Sequence, residues 1–180
     1  MNNFLKRFIV LISAIILVSC ISNFFGDGPP RIIKKASTKD AIPRSEPLSK
    51  YGNGDKNGYY EVRGKRYRVM PSARNYSATG IASWYGTKFH GRYTSNREIY
   101  NIYAMTAAHK SLPLPTYLEV TNIENNKKVI VRVNDRGPFI DDRLIDLSYA
   151  AALKLDVVKN GTAQVKVRTC LLYTSDAADE

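Results

Sequence analysis

The sequence predicts a mostly-β domain: a small barrel with one or two short helices, carried behind an export signal and a flexible linker. Three observations predict it. Between Tyr59 and Arg168 several short runs alternate apolar with polar residues, the period of a half-buried strand. One stretch, Ala150-Ala151-Ala152, is made of the strongest helix former. Ahead of both lie an apolar run of eleven residues and a long segment punctuated by Pro and Gly without periodicity.

The first nineteen residues hold Lys6-Arg7, the apolar run Phe8–Val18 and the small Ser19, the pattern of a secretory signal. A helix spanning the ~30 Å hydrocarbon core needs about twenty apolar residues, so this run is too short to cross. Leu17-Val18-Ser19-Cys20 resembles the bacterial lipobox, which implies lipidation at Cys20. Several acyl chains hold a protein on a membrane far more durably than one. Ile21 rather than Asp after the Cys resembles a lipoprotein sorted to the outer membrane. The expected location is thus the periplasmic face of a bacterial envelope, with a membrane contact through the N-terminal lipid.

Residues 20–57 read as a lipidated, flexible linker. They contain Gly28-Pro29-Pro30, Pro43 and Pro47, and too few apolar residues to offset the entropy of ordering. A coil of roughly 38 residues reaches about 30–40 Å. A hairpin lead-in follows over 58–78, with Tyr60, Val62, Tyr67 and Val69 alternating around Gly64-Lys65. The barrel is expected over 79–169. Its strands are Gly80–Gly86, Ala104–His109, the hairpin 117–123 and 128–133 turning at Asn125-Asn126, and Ala163–Arg168. Asp146-Leu147-Ser148 opens the helix, capped by Asp146 or Ser148, and Leu155 closes it. From Cys170 the chain abandons this style. Residues 170–180 resemble translated sequencing-adapter DNA and are expected to be non-native, which leaves Cys170 without a role.

The formal charge is +11, and loss of Lys6 and Arg7 with the signal leaves 11 − 2 = +9. Such a balance suits an anionic partner: nucleic acid, lipid headgroups or a carboxylate-bearing wall. Export excludes nucleic acid. With Cys20 lipidated, Cys170 has no partner for a disulfide, so packing alone must hold the core. The His and acidic residues lack metal-ligand spacing, and neither a phosphate-cradling loop nor a Gly-x-Ser-x-Gly elbow is present. No metal and no cofactor are expected.

Four groups carry chemistry by residue type. Ser83–Gly91 is aromatic and Gly-rich, suited to stacking on sugars, although Trp84 equally suits a core. Glu98 lies in a polar loop and His109 on a strand, each of which alone reads as ordinary. Asn134-Asp135-Arg136-Gly137-Pro138-Phe139 follows an apolar strand, and Asp135 could either shape the turn or project into a groove.

Taken together, Gly80–Gly86, Thr106–Pro113, Val131–Phe139 and Arg143–Ala151 resemble the rare lipoprotein A family, in its order and spacing over 79–169. The resemblance implies a six-stranded double-psi β-barrel and an endolytic lytic transglycosylase that cleaves peptide-stripped glycan strands at the division septum. It implies that Asp135, Glu98 and His109 are catalytic. Trp84, Tyr85, His90, Arg136 and Phe139 are expected to contact substrate. Where the family often has Asp, this chain has Asn101, which removes any proton transfer there. The mechanism implied makes one carboxyl group the acid and then the base, with the pKa of that acid raised by burial or a like charge. Asp135 takes that part, Glu98 raises its pKa or stabilises positive charge, and His109 orients one carboxylate; the two acids can also exchange roles. Expected partners are peptidoglycan strands and division-ring proteins. Two other readings stand beside this one: an expansin-like module that binds wall glycan without cutting it, and a structural lipoprotein that recruits division proteins.

Overall fold

Apolar residues at every second position close six strands around one core. The computed structural model describes residues 28–30, 39–140 and 142–170. The signal, Cys20 and residues 171–180 lie outside the described residues. A two-stranded lead-in, β1 (Tyr59–Val62) and β2 (Lys65–Arg68), precedes the barrel strands β3 (Ser77–Trp84), β4 (Thr106–His109), β5 (Thr116–Asn122), β6 (Lys128–Asp135), β7 (Arg143–Leu147) and β8 (Thr162–Thr169). The barrel closes in the order β3-β7-β4-β6-β5-β8. Pairs β3–β7 and β4–β6 are parallel and the other four are antiparallel. Ala82, Val120, Val131, Val133, Ile145, Leu147, Val165 and Val167 fill the interior, each without solvent exposure.

The six-stranded barrel is the one expected, and its strands fall where alternation put five of them. The sixth, β7, takes in Asp146 and Leu147, which the sequence assigns to the start of the helix. Arg143 and Ile145 to Leu147 pair with β3, and Ile145 to Leu147 pair with β4 on the other side, so Asp146 belongs to a strand and caps nothing. Ser148 is the cap of α1 (Tyr149–Lys154): its hydroxyl accepts from Ala151 N at 3.3 Å and donates to Ala104 O at 2.6 Å. The Ala150-Ala151-Ala152 run is buried against the barrel, so small side chains let the helix approach closely.

The lead-in hairpin turns one residue earlier than expected, at Arg63-Gly64, both at positive φ. Its cross-strand pair Tyr60 and Tyr67 stacks at 5.2 Å and meets the edge of Phe139 at 6.4 and 5.4 Å.

The flexible linker expected up to residue 57 is not what the described part of that segment forms. Residues 40–53 run across the barrel as a strap. Asp40 pairs with Lys154 at 2.8 Å, and Ala41 N donates to Ile130 O at 2.9 Å. Ser49 N donates to Leu114 O at 2.8 Å. Asn53 closes a two-way bond with Leu114, accepting from its N at 2.7 Å and donating to its O at 2.9 Å. The segment buries little apolar surface, which is why its sequence looked uncommitted. Backbone and side-chain hydrogen bonds and an ion pair hold it instead.

Candidate active site

The site lies where β6 ends. Val129, Val131 and Val133 point into the barrel, which leaves Arg132 on the outer face. The register against β4 then slips: Ala107 pairs with Val133 but Ala108 with Asp135. Asn134 is thereby the extra residue of a bulge, a device that re-aims side chains next to active sites. Arg132 and Asn134 both reach Glu98, while Asp135 turns to Ser95.

A tight loop presents these partners. Thr94 N donates to Glu98 O at 2.8 Å and Arg97 N to Thr94 O at 2.9 Å, with Arg97 at φ +71°. Thr94 Oγ1 donates to Asn96 Oδ1 at 2.6 Å, and Asn96 Nδ2 to Glu98 Oε1 at 2.9 Å. Glu98 Oε2 accepts from Arg132 Nη1 and Asn134 Nδ2, each at 2.8 Å. Burial pushes the Glu98 carboxyl up, but the bonds from Asn134, Arg132 and Asn96 outweigh it and hold the pKa below the ordinary carboxylate value. Glu98 is thus a fixed anion.

Asp135 differs. Its Oδ1 accepts from Ser95 N at 2.8 Å, Ser95 Oγ at 2.7 Å and its neighbour Arg136 N at 2.7 Å. No protein donor among the described residues reaches Oδ2, and the side chain is half-buried. One oxygen is fastened and the other is available to a ligand. Of the two sequence readings of Asp135, the turn former is what Oδ1 performs.

His109 stands apart from both carboxylates. Its Nδ1 accepts from Ser111 N at 3.2 Å and Leu112 N at 3.1 Å, which places the ring proton on Nε2 facing Tyr76 Oη at 3.0 Å. Burial, together with the charges of Arg136 and Lys110, lowers its pKa to about 3. The role expected for it, orienting a carboxylate, is therefore not what these contacts perform. His109 is a neutral residue that shapes the loop after β4.

Arg136 is also placed differently from the expectation of a substrate contact. Its guanidinium is buried and donates to Gly52 O at 2.6 Å, His109 O at 3.0 Å, Leu112 O at 2.5 Å and Asn53 Oδ1 at 3.1 Å. Burial lowers its pKa to about 10, against the opposing pull of Tyr60 and Asp135. It fastens the strap to the site. Phe139 is half-buried against Tyr60 and Tyr67, and Trp84 packs edge-on against Tyr149 at 5.6 Å. Tyr85 packs against Tyr100 at 4.2 Å with the rings tilted by 35°, and its hydroxyl is buried. Burial, then Tyr100 and Asp135, push that hydroxyl well above its ordinary value. His90 and Phe89 are exposed beside this aromatic group, His90 edge-on to Tyr103 at 5.7 Å. Asn101 accepts from Tyr103 N at 3.0 Å and serves its own turn.

As individual site residues, sequence reasoning missed Ser95, Arg132 and Asn134. Arg132 read as the polar half of an alternating strand, which it also is. The signal available for it was position: the polar face of a strand that ends in Asn-Asp-Arg-Gly-Pro leads into the same loop. Among the described residues no three His, Cys, Asp or Glu side chains stand close enough to hold a metal ion.

A six-stranded barrel of this order thus gathers a Glu and an Asp at the end of β6. The family model described as lytic transglycolase matches residues 77–167, and the chain belongs to that family, the rare lipoprotein A proteins with a double-psi β-barrel. It is 57% identical over 129 residues to the endolytic peptidoglycan transglycosylase RlpA of Vibrio cholerae, covering 72% of this chain and 48% of that one. To the protein of the same name from Pseudomonas aeruginosa it is 59% identical over 126 residues, covering 70% and 37%. The chain thus spans half or less of the length of these relatives. Among solved structures, a Streptomyces papain inhibitor is 21% identical at a TM-score of 0.45, covering 56% of this chain and 97% of its own. A Clavibacter michiganensis expansin mutant solved with cellohexaose is 20% identical at 0.43, covering 58% and 54%.

Proposed function

We propose that this chain is an endolytic lytic transglycosylase that cleaves MurNAc–GlcNAc bonds of peptide-stripped peptidoglycan and leaves 1,6-anhydro ends. The observation that carries the reading is the unequal pair of carboxyl groups. Glu98 has both oxygens bonded and is held ionised, whereas Asp135 keeps Oδ2 open. The names of the relatives support the substrate class.

In this mechanism Asp135 Oδ2 carries the proton. It transfers that proton to the glycosidic oxygen as the bond to the anomeric carbon breaks, and GlcNAc leaves as an alcohol. The anomeric carbon becomes oxocarbenium-like, and the fixed Glu98 carboxylate stabilises its charge without having to reorganise. The sugar's 6-hydroxyl then closes on that carbon and returns its proton to Asp135. Ser95 and the Arg136 amide hold Asp135 Oδ1 through both transfers. The exposed Tyr93 and Phe89 and the half-buried Trp84 and Tyr85 offer aromatic faces for sugar rings. We further read Leu17–Cys20 as a lipoprotein signal, with the barrel tethered at the periplasmic face of the envelope and working in septal wall remodelling with division proteins.

The test is incubation of the purified chain with intact and with peptide-stripped sacculi, followed by mass spectrometry of the released ends. Anhydro ends from stripped sacculi are expected, reduced about 10²–10⁴-fold in Asp135→Asn. Retention on sacculi without any cleavage would instead make the chain a wall-binding module.

A further inference from the structure

The Arg132 that holds Glu98 is itself held, from outside the barrel. Its Nε and Nη2 donate to Glu46 at 3.0 and 2.7 Å, and only Nη1 faces Glu98. The Glu46 carboxylate also accepts from Tyr117 Oη and, at 3.0 Å, from Arg44 Nε. Side-chain exposure is 15% for Glu46 and 17% for Arg132, so this pair is shielded from water in a way surface ion pairs are not. Burial works against ionisation of Glu46, but the bonds from Arg132, Tyr117 and Arg44 outweigh it and lower its pKa to about 2.

From this geometry we propose that Glu46 is a positioning residue of the reaction, acting on Glu98 through Arg132. A guanidinium donates in a planar fork, so fixing the Nε–Nη2 edge fixes the direction of Nη1. Without Glu46 that edge has no acceptor, and Arg132 can rotate away from Glu98. Glu46 lies ahead of the residues 77–167 that define the family's barrel. The working site therefore includes the strap. A second strap contact points the same way. Gly52 sits at φ +80°, and a Cβ there would lie 3.0 Å from the backbone of Ser95, the residue that fastens Asp135. The strap thus backs both carboxylates, one through Arg132 and one through the Ser95 loop.

The proposal rests on the reading of Glu98 as the charge-stabilising group, and its test separates the two. In the whole chain, Glu46→Gln, Glu46→Ala, Arg132→Ala and the Glu46/Arg132 double variant are compared with the unsubstituted chain after thermal unfolding confirms each fold. The Glu98 carboxyl is followed by ¹³C NMR, assigned with Glu98→Gln. Loss of the Arg132 bond removes a cause that lowers the Glu98 pKa, so its titration is expected to move upward in both Glu46 variants, more in Ala than in Gln. With stripped sacculi as substrate, kcat is expected to fall about tenfold or more in Glu46→Ala, the scale of a positioning error, with KM within about twofold. The double variant is expected to match Arg132→Ala alone. An unshifted Glu98 titration in Glu46→Ala overturns the proposal, as do additive losses in the double variant. Both outcomes would reduce Glu46 to a fastening of the strap. If wild type releases no anhydro ends, the transglycosylase reading falls, and the Glu98 titration still decides what Glu46 does.

Discussion

Arg136 is where a substrate contact and a structural clamp make opposite demands on experiment. Four acceptors converge on its guanidinium: three backbone carbonyls and Asn53 Oδ1. In Arg136→Ala those acceptors lose a charged donor, and Leu112 O and His109 O stay buried. A bond to a charged group contributes about 1.5–3 kcal/mol, and each buried group left unsatisfied costs about 1–3 kcal/mol. These losses overlap, and removal of one partner from a buried charged network typically costs about 3–5 kcal/mol. With an unfolding entropy near 2.1 cal/mol/K per residue over roughly 130 packed residues, about 4 kcal/mol corresponds to a fall in Tm of about 15 °C. Arg136→Lys is expected to recover only a minority of this, because one ammonium cannot span an array arranged around a planar fork. Thermal unfolding by circular dichroism reads both values, and co-sedimentation with sacculi reads binding. If Arg136→Ala unfolded within about 3 °C of wild type yet lost its binding to glycan, the clamp assignment would be wrong and the sequence expectation right.

Three further outcomes follow from the site. The pKa of His109 is lowered to about 3 in the fold, so between that value and its unfolded value near 6.5 the unfolded chain binds a proton that the folded one does not. Its contribution is therefore present above pH 6.5 and lost as pH falls, with a slope of up to about 1.4 kcal/mol per pH unit; Tm against pH should flatten over that window in His109→Asn. Gly52→Ala forces an alanine to φ +80° and its Cβ to 2.9 Å from Leu114 Cδ1, so a loss of about 1–3 kcal/mol is expected in urea unfolding. The third concerns the acidic limb of kcat. Glu98 must be ionised, and its lowered pKa keeps it so down to below the ordinary carboxylate range; in Asn134→Ala the limb should move to higher pH in a pH–rate profile.

Much of the barrel was legible because its strands obey a single rule. β8 alternates without exception, and β5 and β6 alternate around an Asn turn, so periodicity alone locates them. β7 escaped because Arg143-Leu-Ile-Asp-Leu has apolar residues at both parities and runs straight into a helix cap. Its identity as a strand comes from two neighbours far away in sequence, β3 and β4, which no local pattern encodes. The strap escaped for a different reason. Polar bonds hold it, and Glu46, Asn53 and Gly52 are residues equally at home in a solvated linker. Motif order singles out Asp135 and Glu98 as candidates, and the structure gives them different environments. His109 and Arg136 stood in the same motifs yet serve the framework. A motif records what must stay, and only the contacts distinguish chemistry from support.

The seam of the barrel has a consequence for how the chain comes to be folded. β3 pairs along its length with β8, from Ser77 against Arg168 to Ser83 against Thr162. The first barrel strand must wait for the last before either has a full set of neighbours, and β5 waits on the same strand. A chain emerging N-terminus first thus carries β3 and β5 as open edges until Thr169 has cleared, the kind of edge that invites pairing between molecules. Interruption anywhere before β8 leaves a sticky intermediate rather than a smaller stable domain.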